Sequence, residues 1–393
     1  MFSLLFDKPR RGNINMEDNS GEQRMKLQRT SKDVDFSDLP DSILCHILSY
    51  LPTKEAMMTS FLSKGWGSLW TSIPLIDLDE RQFIGRTRNL KHNVSGVNFQ
   101  QQKKFSDFVE RFIDFHGGLN VPEIRLRFDV GSYLKFSSRA ERWVRTVMTT
   151  DATAIDIDFS GKSLDWSDMN KNMYTLPSCG FPSRSLTALR LRFCEFKPLQ
   201  NNSFVSLQTV SLTAVKVSDS SVNALICDSP CLENLHLECC YVPNSFHVEA
   251  PASSHLKFMV VDNCVTPGHK FIEHFSINIP SLQSFKFKGI INDFSVKNLR
   301  NLIDAEIDEQ NEYNGFEDRE YRMVCELFNG LGHVQVLTLS SWFLEVCFLL
   351  AYFVRSVVFS QIQFMFHGNC YEPRIWRWLM CFHLLNSTHI ETL

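Results

Sequence analysis

The sequence of 393 residues is short of several things at once. No C-x-x-C pair occurs among its twelve cysteines, and they lack the close, even spacing of a small secreted scaffold, which argues against a disulfide framework. Basic charge is not in excess. Forty Lys and Arg against forty-four Asp and Glu leave a net charge of -4, so the electrostatic footprint of a nucleic-acid binder is missing and no nucleic-acid partner is expected. There is no acidic tail. The amino end offers only Phe2-Ser3-Leu4-Leu5-Phe6 before Asp7, too short an apolar stretch for a signal-peptide core. These absences point to a reducing compartment, cytoplasmic or nuclear. P-loop, dinucleotide-binding glycine fingerprint, H-E-x-x-H and G-x-S-x-G are absent as well, so neither catalysis nor a cofactor is expected.

What the chain does have is apolar and aromatic material: 44% hydrophobic residues and thirty-three Phe, enough for an extended core. Its texture changes along the length. Residues 1–35 are polar, mixed in charge and without period, and read as a disordered tail. A compact apolar block spans 36–76, a helical linker 77–119, and a long region of short strands 120–343. Residues 344–393 form an atypical apolar segment. Glu345 and Arg355 interrupt its most hydrophobic stretch, and a charge at mid-span costs about 2.5–3.5 kcal/mol on insertion, so a buried capping segment or a poorly folded tail is expected there rather than a membrane span.

The strand region repeats. The template Leu-x-x-Leu-x-Leu-x-x-Cys, with apolar offsets 0, 3, 5 and 8, fits Leu186, Leu189, Leu191, Cys194 and Leu207, Val210, Leu212, Val215. It fits again at Leu232, Leu235, Leu237, Cys240 and at Leu256, Met259, Val261, Cys264. Weaker copies are Leu282, Phe285, Phe287, Ile290, then Leu302, Ala305, Ile307, and Val334, Leu337, Leu339; Val121, Ile124, Leu126 and Ala152, Ile155, Ile157 precede them all. Offsets 3 and 5 lie two apart and so share one face of a strand. One such unit cannot bury that face alone, whereas stacked units make a parallel sheet over a shared core and curve into a solenoid. Residues between the inward ones point the other way. Arg190, Arg192, His236 and Glu238 are thereby candidates for a functional outer face.

In the block 36–76, Pro40 suits a first helical turn and Pro52 ends that helix. Thr53 is placed to cap a second helix, and a third should run from Ser63 to about Trp70. Ile43 and Ile47 lie one turn apart, as do Leu44 and Leu48, with Leu51 following. That apolar surface is wider than one neighbouring helix covers, and some forty residues cannot enclose a large core. Part of it is expected to be buried against a second protein, each fully buried Leu or Ile being worth about 1.5–3 kcal/mol.

This block resembles an F-box. Leu39-Pro40, Ile43-Leu44, Ile47-Leu48-Ser49-Tyr50-Leu51-Pro52-Thr53-Lys54, Leu62-Ser63-Lys64, Trp66 and Leu69-Trp70 agree in order and spacing with the plant F-box/leucine-rich-repeat group. Phe108-Val109-Glu110-Arg111-Phe112, Trp143-Val144-Arg145, Leu176-Pro177-Ser178-Cys179 and Ser229-Pro230-Cys231-Leu232-Glu233 extend the likeness. It implies an α+β chain, with a small three-helix F-box followed by a curved leucine-rich-repeat solenoid with a parallel β-sheet. It also implies a substrate-recognition adaptor. The F-box would bind the Skp-type linker of a cullin ubiquitin ligase through Leu39, Pro40, Ile43, Leu44, Ile47, Leu48, Leu51 and Pro52, and the repeats would recruit a protein substrate for ubiquitination.

Two departures qualify this. Lys64-Gly65-Trp66-Gly67 stands where the family has Lys-Arg-Trp, and two glycines in a short helix cost about 1 kcal/mol each relative to Ala, so weaker linker binding is expected. The alternative is a repeat module that binds protein without the ligase, its F-box degenerate. Beyond Glu345 no repeat register is expected to survive, and the C-terminal domain common in the FBD-type members is not recognisable. Cys227, Cys231, His236, Cys239 and Cys240 suggest zinc, but the template turns Cys240 inward and His236 outward, so they diverge instead of converging as a tetrahedral site needs, and no metal is expected.

Overall fold

The computed structural model describes residues 39–60, 66–83, 94–116, 121–129, 137–160, 173–177, 181, 184–197, 204–268, 271–310, 318–340, 342–343 and 361–365. For 94–99, 115–116, 137, 318–321 and 361–365 the backbone alone is described. The expected disordered tail, Gly65 and most of the C-terminal segment lie outside these residues. The chain divides into two units, Met1–Val121 and Pro122–Leu393.

In the first unit α1 spans Asp41–Leu48 and α2 Thr53–Thr59; a 3-10 turn at Leu69–Ser72 leads into β1, Leu75–Asp79, and after a second 3-10 turn, Glu80–Phe83, α3 covers Val94–His116. Pro40 and Pro52 both occupy cap positions, so Thr53 does not cap α2 as expected: it is the first helical residue, and its buried hydroxyl accepts the Asp77 N–H at 2.7 Å, tying α2 to β1. The expected third helix is, in its described part, the 3-10 turn, with Gly67 in the turn before it. A boundary at residue 76 would cut β1 in two. The core gathers Leu44, Leu48, Ala56, Met57, Leu69 and Trp70, and α3 closes it with Phe105, Phe108 and Phe112. Trp70 and Phe112 lie 5.9 Å apart, and Phe83 sits 5.4 and 4.9 Å from Phe105 and Phe108. The block is therefore larger than the forty residues that suggested it, and part of its apolar surface is covered within its own unit.

The second unit is built on parallel pairing. Its strands are β2 (Glu123–Arg127), β3 (Ala154–Asp158), β4 (Tyr174–Thr175), β5 (Ala188–Arg192), β6 (Cys194–Glu195), β7 (Thr209–Thr213), β8 (Asn234–Glu238), β9 (Ser245–Glu249), β10 (Phe258–Asp262), β11 (His274–Asn278), β12 (Ser284–Gly289), β13 (Phe294–Lys297), β14 (Asp304–Glu309), β15 (Val336–Ser340) and β16 (Gln361–Met365). Helices α4 (Ser137–Met148), α5 (Asp219–Asp228) and α6 (Asp318–Leu331) lie between strands in the chain. The main sheet runs β2-β3-β5-β7-β8-β10-β12-β14-β15-β16, and β9, β11 and β13 form a second parallel sheet. Offsets 3 and 5 of every copy, from Ile124 to Leu339, are buried. Between the sheets Phe275 stacks on Phe285 at 6.2 Å and meets Phe294 at 5.3 Å. One expectation at the far end is corrected: β16 pairs in parallel with β15, Ile362 opposite Leu337 and Phe364 opposite Leu339, so the sheet continues past Glu345.

A regular joint closes the strands. At offset 7 Phe193, Ala214, Cys239 and Asn263 have φ of 57°, 54°, 52° and 48°, and the matching residue of the next copy, Gly289, has 145°. Left-handed backbone is unfavourable for residues with a Cβ, and here each N–H of the first four donates to the neighbouring strand, Phe193 to Thr213 O, Ala214 to Glu238 O, Cys239 to Asp262 O and Asn263 to Lys288 O. The bend turns offset 8 inward at Cys194, Val215, Cys240 and Cys264. After Gly289 it does not: Ile290, expected inside, is exposed, and Ile291 is buried in its place, because β12 runs one residue longer before turning.

Candidate docking faces

Two surfaces stand out, one in each unit. On α1 the apolar residues divide between two sides. Leu44 and Leu48 are 3% and 0% exposed, held in the core beside the 3-10 turn, where the Cys45 thiol, its pKa raised by burial and then by Asp41, donates to Leu69 O at 3.6 Å. Ile43 and Ile47 are 45% and 37% exposed, Tyr50 is 76% exposed, and Leu51 and Met58 are exposed as well. Pro40 is exposed; Leu39 and Pro52 are half-buried. Of the expected linker-binding set, Leu44 and Leu48 lie in the unit's own interior, whereas Ile43 and Ile47, each one residue earlier and so about 100° round the helix, face outward. Tyr50 and Met58 were not singled out beforehand. Tyr50 is held against His46, its hydroxyl 3.3 Å from Nε2 and the rings edge to face.

The second surface is the side of the main sheet away from the core. Register aligns its residues in rows: Ala188, Thr209, Asn234, Phe258, Ser284; then Arg190, Ser211, His236, Val260, Lys286; then Arg192, Thr213, Glu238, Asp262, Lys288. The four candidates fall in two of these rows and behave differently. Arg192 lies 3.7 Å from Asp158, and Glu238 accepts the Thr213 hydroxyl at 3.2 Å. Arg190 and His236 have no ion-pair or hydrogen-bond partner among the described residues, nor has Ser211 between them. Ser211, Val260 and the 44% exposed Phe258 were missed, although the template marks them at offsets 4, 4 and 2.

The inward cysteines are structural. Cys240 Sγ donates to Leu212 O at 3.3 Å and Cys264 Sγ to Leu237 O at 3.6 Å, across neighbouring strands at the joints. Burial raises the Cys194 thiol far above its ordinary range, and the hydrogen bond to Cys240, then burial, raises Cys264. Cys239 is pushed up to about 11, by burial and then by Glu238 and Asp262. Among the described residues no group of three or more His, Cys, Asp or Glu is placed to hold a metal ion, and no helix is long and apolar enough to cross a membrane.

A small helical module with an uncovered apolar side, joined in one chain to a parallel repeat scaffold with a largely polar outer face, defines a class of two-part protein. The family comparisons give that class its name. Residues 36–78 match the F-box domain, and residues 113–347 match the At1g61320/AtMIF1 LRR domain. The chain is 30% identical over 342 residues to the F-box/LRR-repeat protein At3g58900 of Arabidopsis thaliana, covering 81% of this chain and 97% of that one. It is 25% identical over 369 residues to the FBD-associated F-box protein At1g66310, and 28% over 382 to the F-box/LRR-repeat protein At2g42730, both from Arabidopsis thaliana, covering 90% and 92% of this chain and 76% of each relative. The chain belongs to the F-box/leucine-rich-repeat family, whose members are typically adaptors and not enzymes, and its F-box implies a Skp-type partner.

Proposed function

We propose that the chain is the substrate-recognition adaptor of a Skp-cullin-F-box ubiquitin ligase. Ile43, Ile47 and Leu51, flanked by Leu39, Pro40 and Pro52, dock on the Skp-type linker and through it on a cullin, and the outer face of the repeats recruits a protein substrate for ubiquitination. The observation that supports this is the division of α1, whose Leu44 and Leu48 complete a core while Ile43, Ile47 and Tyr50 remain uncovered. Burying a whole Ile or Leu side chain is worth about 1.5–3 kcal/mol, so covering the exposed parts of five apolar residues drives an association of useful strength after its entropic cost. Gly67 sits in a turn, where it carries no helix-interior penalty; Gly65 lies outside the described residues.

The test is co-expression with a Skp-type linker followed by affinity purification. The wild-type chain should retain the linker, and Ile43→Asp with Ile47→Asp should lose it while the thermal unfolding midpoint stays near wild type. Leu48→Asp should lose both, because it places a charge in the core. Failure of the wild-type chain to hold the linker sinks the ligase reading and leaves the repeats acting without it.

A further inference from the structure

Arg190, Ser211, His236 and Val260 lie side by side on four adjacent strands, β5, β7, β8 and β10. Around them most polar groups are matched, Asp262 on β10 being an exception with an unpartnered Oδ1. Thr209 accepts from Asn234 at 3.5 Å on one side, Thr213 donates to Glu238 on the other, and beyond Val260 Lys286 pairs with Glu306 at 2.7 Å. Only this strip keeps an unanswered cation and two unanswered hydrogen-bonding side chains among its described neighbours, and it ends on Val260 and the exposed Phe258.

The cation end is shaped. Arg190 and Arg192 on β5 face Arg125 and Arg127 on β2 across a depression of about 500 Å³ over β3, floored by the small Ala154 and Ala188. Arg125 is engaged by Glu123 at 2.8 Å, Arg127 by Asp156 and Asp158 at 3.5 and 3.6 Å, and Arg192 by Asp158. Four guanidiniums thus meet three carboxylates. One positive charge is left over, at Arg190. A monoanion balances it, whereas a phosphate dianion would leave negative charge in excess beside Asp156 and Asp158.

We propose that this strip binds an extended segment of the protein substrate with an Asp or Glu side chain at Arg190 and an apolar side chain, four positions away, on Val260 and Phe258. Three inter-strand steps of about 4.8 Å separate β5 from β10, and an extended peptide covers that distance in about four residues at roughly 3.3 Å each. Ser211 and His236 between them meet the segment's backbone. The inference rests on the adaptor reading and names the substrate class for it.

The experiment pans a random dodecapeptide display library on the full chain and titrates the best synthetic peptide by fluorescence anisotropy; linker co-purification of the same preparations is scored separately. Selected peptides should share an acid four positions from an apolar residue. Replacing that acid by its amide, or Arg190→Gln in the chain, should each weaken binding about tenfold, and the two together should do little more. Arg190→Gln should leave linker retention unchanged. Selection without the acid, indifference to Arg190→Gln, or tighter binding of a phosphoserine replacement overturns the proposal. Loss of linker retention by the wild-type chain overturns the ligase reading instead, so the two failures are told apart.

Discussion

The two units dispose of their apolar residues in opposite ways. In the first, α1 holds Leu44 and Leu48 inside and leaves Ile43, Ile47 and Tyr50 uncovered. In the second, every residue at offsets 3 and 5 of the repeat is buried, because each strand is covered by its neighbours' copies of the same pattern. On the outer face of the sheet the repeats leave a strip that is polar through Arg190, Ser211 and His236 and ends on the exposed Phe258. A short helix with a wide apolar stripe exports hydrophobic surface, and a stacked sheet exports hydrogen-bonding and charge. The two surfaces therefore suit different kinds of partner, one apolar and the other charged with an apolar end.

Core truncations sharpen this contrast most. Phe285→Ala should lower stability by about 3–5 kcal/mol and Leu48→Ala by about 2–5, whereas Ile47→Ala should stay within about 0.5 kcal/mol, all read from denaturant unfolding. Equal losses at Leu48 and Ile47 would erase the division of α1. A smaller effect is expected where α6 meets β13: a Cβ on Gly330 would lie 2.8 Å from Val296 Cβ. Gly330→Ala should be destabilising by about 1 kcal/mol, the overpacking outweighing the gain in helix propensity.

The smallest effect belongs to the polar surface. The Thr175 hydroxyl, donating at 2.7 Å, and then Lys197 and Lys216 lower the pKa of Glu195. A carboxyl lowered in the folded state stabilises above its ordinary pKa and loses that contribution as pH falls through the lowered value. Thr175→Val should therefore flatten the acid limb of a stability-against-pH curve slightly, leaving neutral pH and above with the loss of one exposed hydrogen bond.

Much of the fold was legible because the repeat offsets are a direct image of burial: Leu189 and Leu191, Leu235 and Leu237 sit where alternation put them. The joints were not, since Phe193, Ala214 and Cys239 share no residue type that favours left-handed backbone; only Asn263 and Gly289 do. On α1 the composition announced excess apolar surface but not which half was spare, as that depends on Trp70 and on α3, forty residues further along the chain from it. Of the outer-face candidates, the sequence could place Arg190, Arg192, His236 and Glu238 on one side of the sheet. It could not tell that Asp158 and Thr213 already engage two of them, because that follows from cross-strand register.

The same register limits how the molecule can change. The inner strands of the main sheet are each locked row to row with two others, and β5, β7, β8 and β10 end on the same bend, so one extra residue inside such a strand would turn its leucines out to water and its arginines or histidines into the interior. Adding or deleting a complete coil leaves every remaining alignment intact. New specificity must therefore arise by rewriting side chains on fixed rungs or by lengthening the ladder in whole rungs, never by sliding the rungs it has.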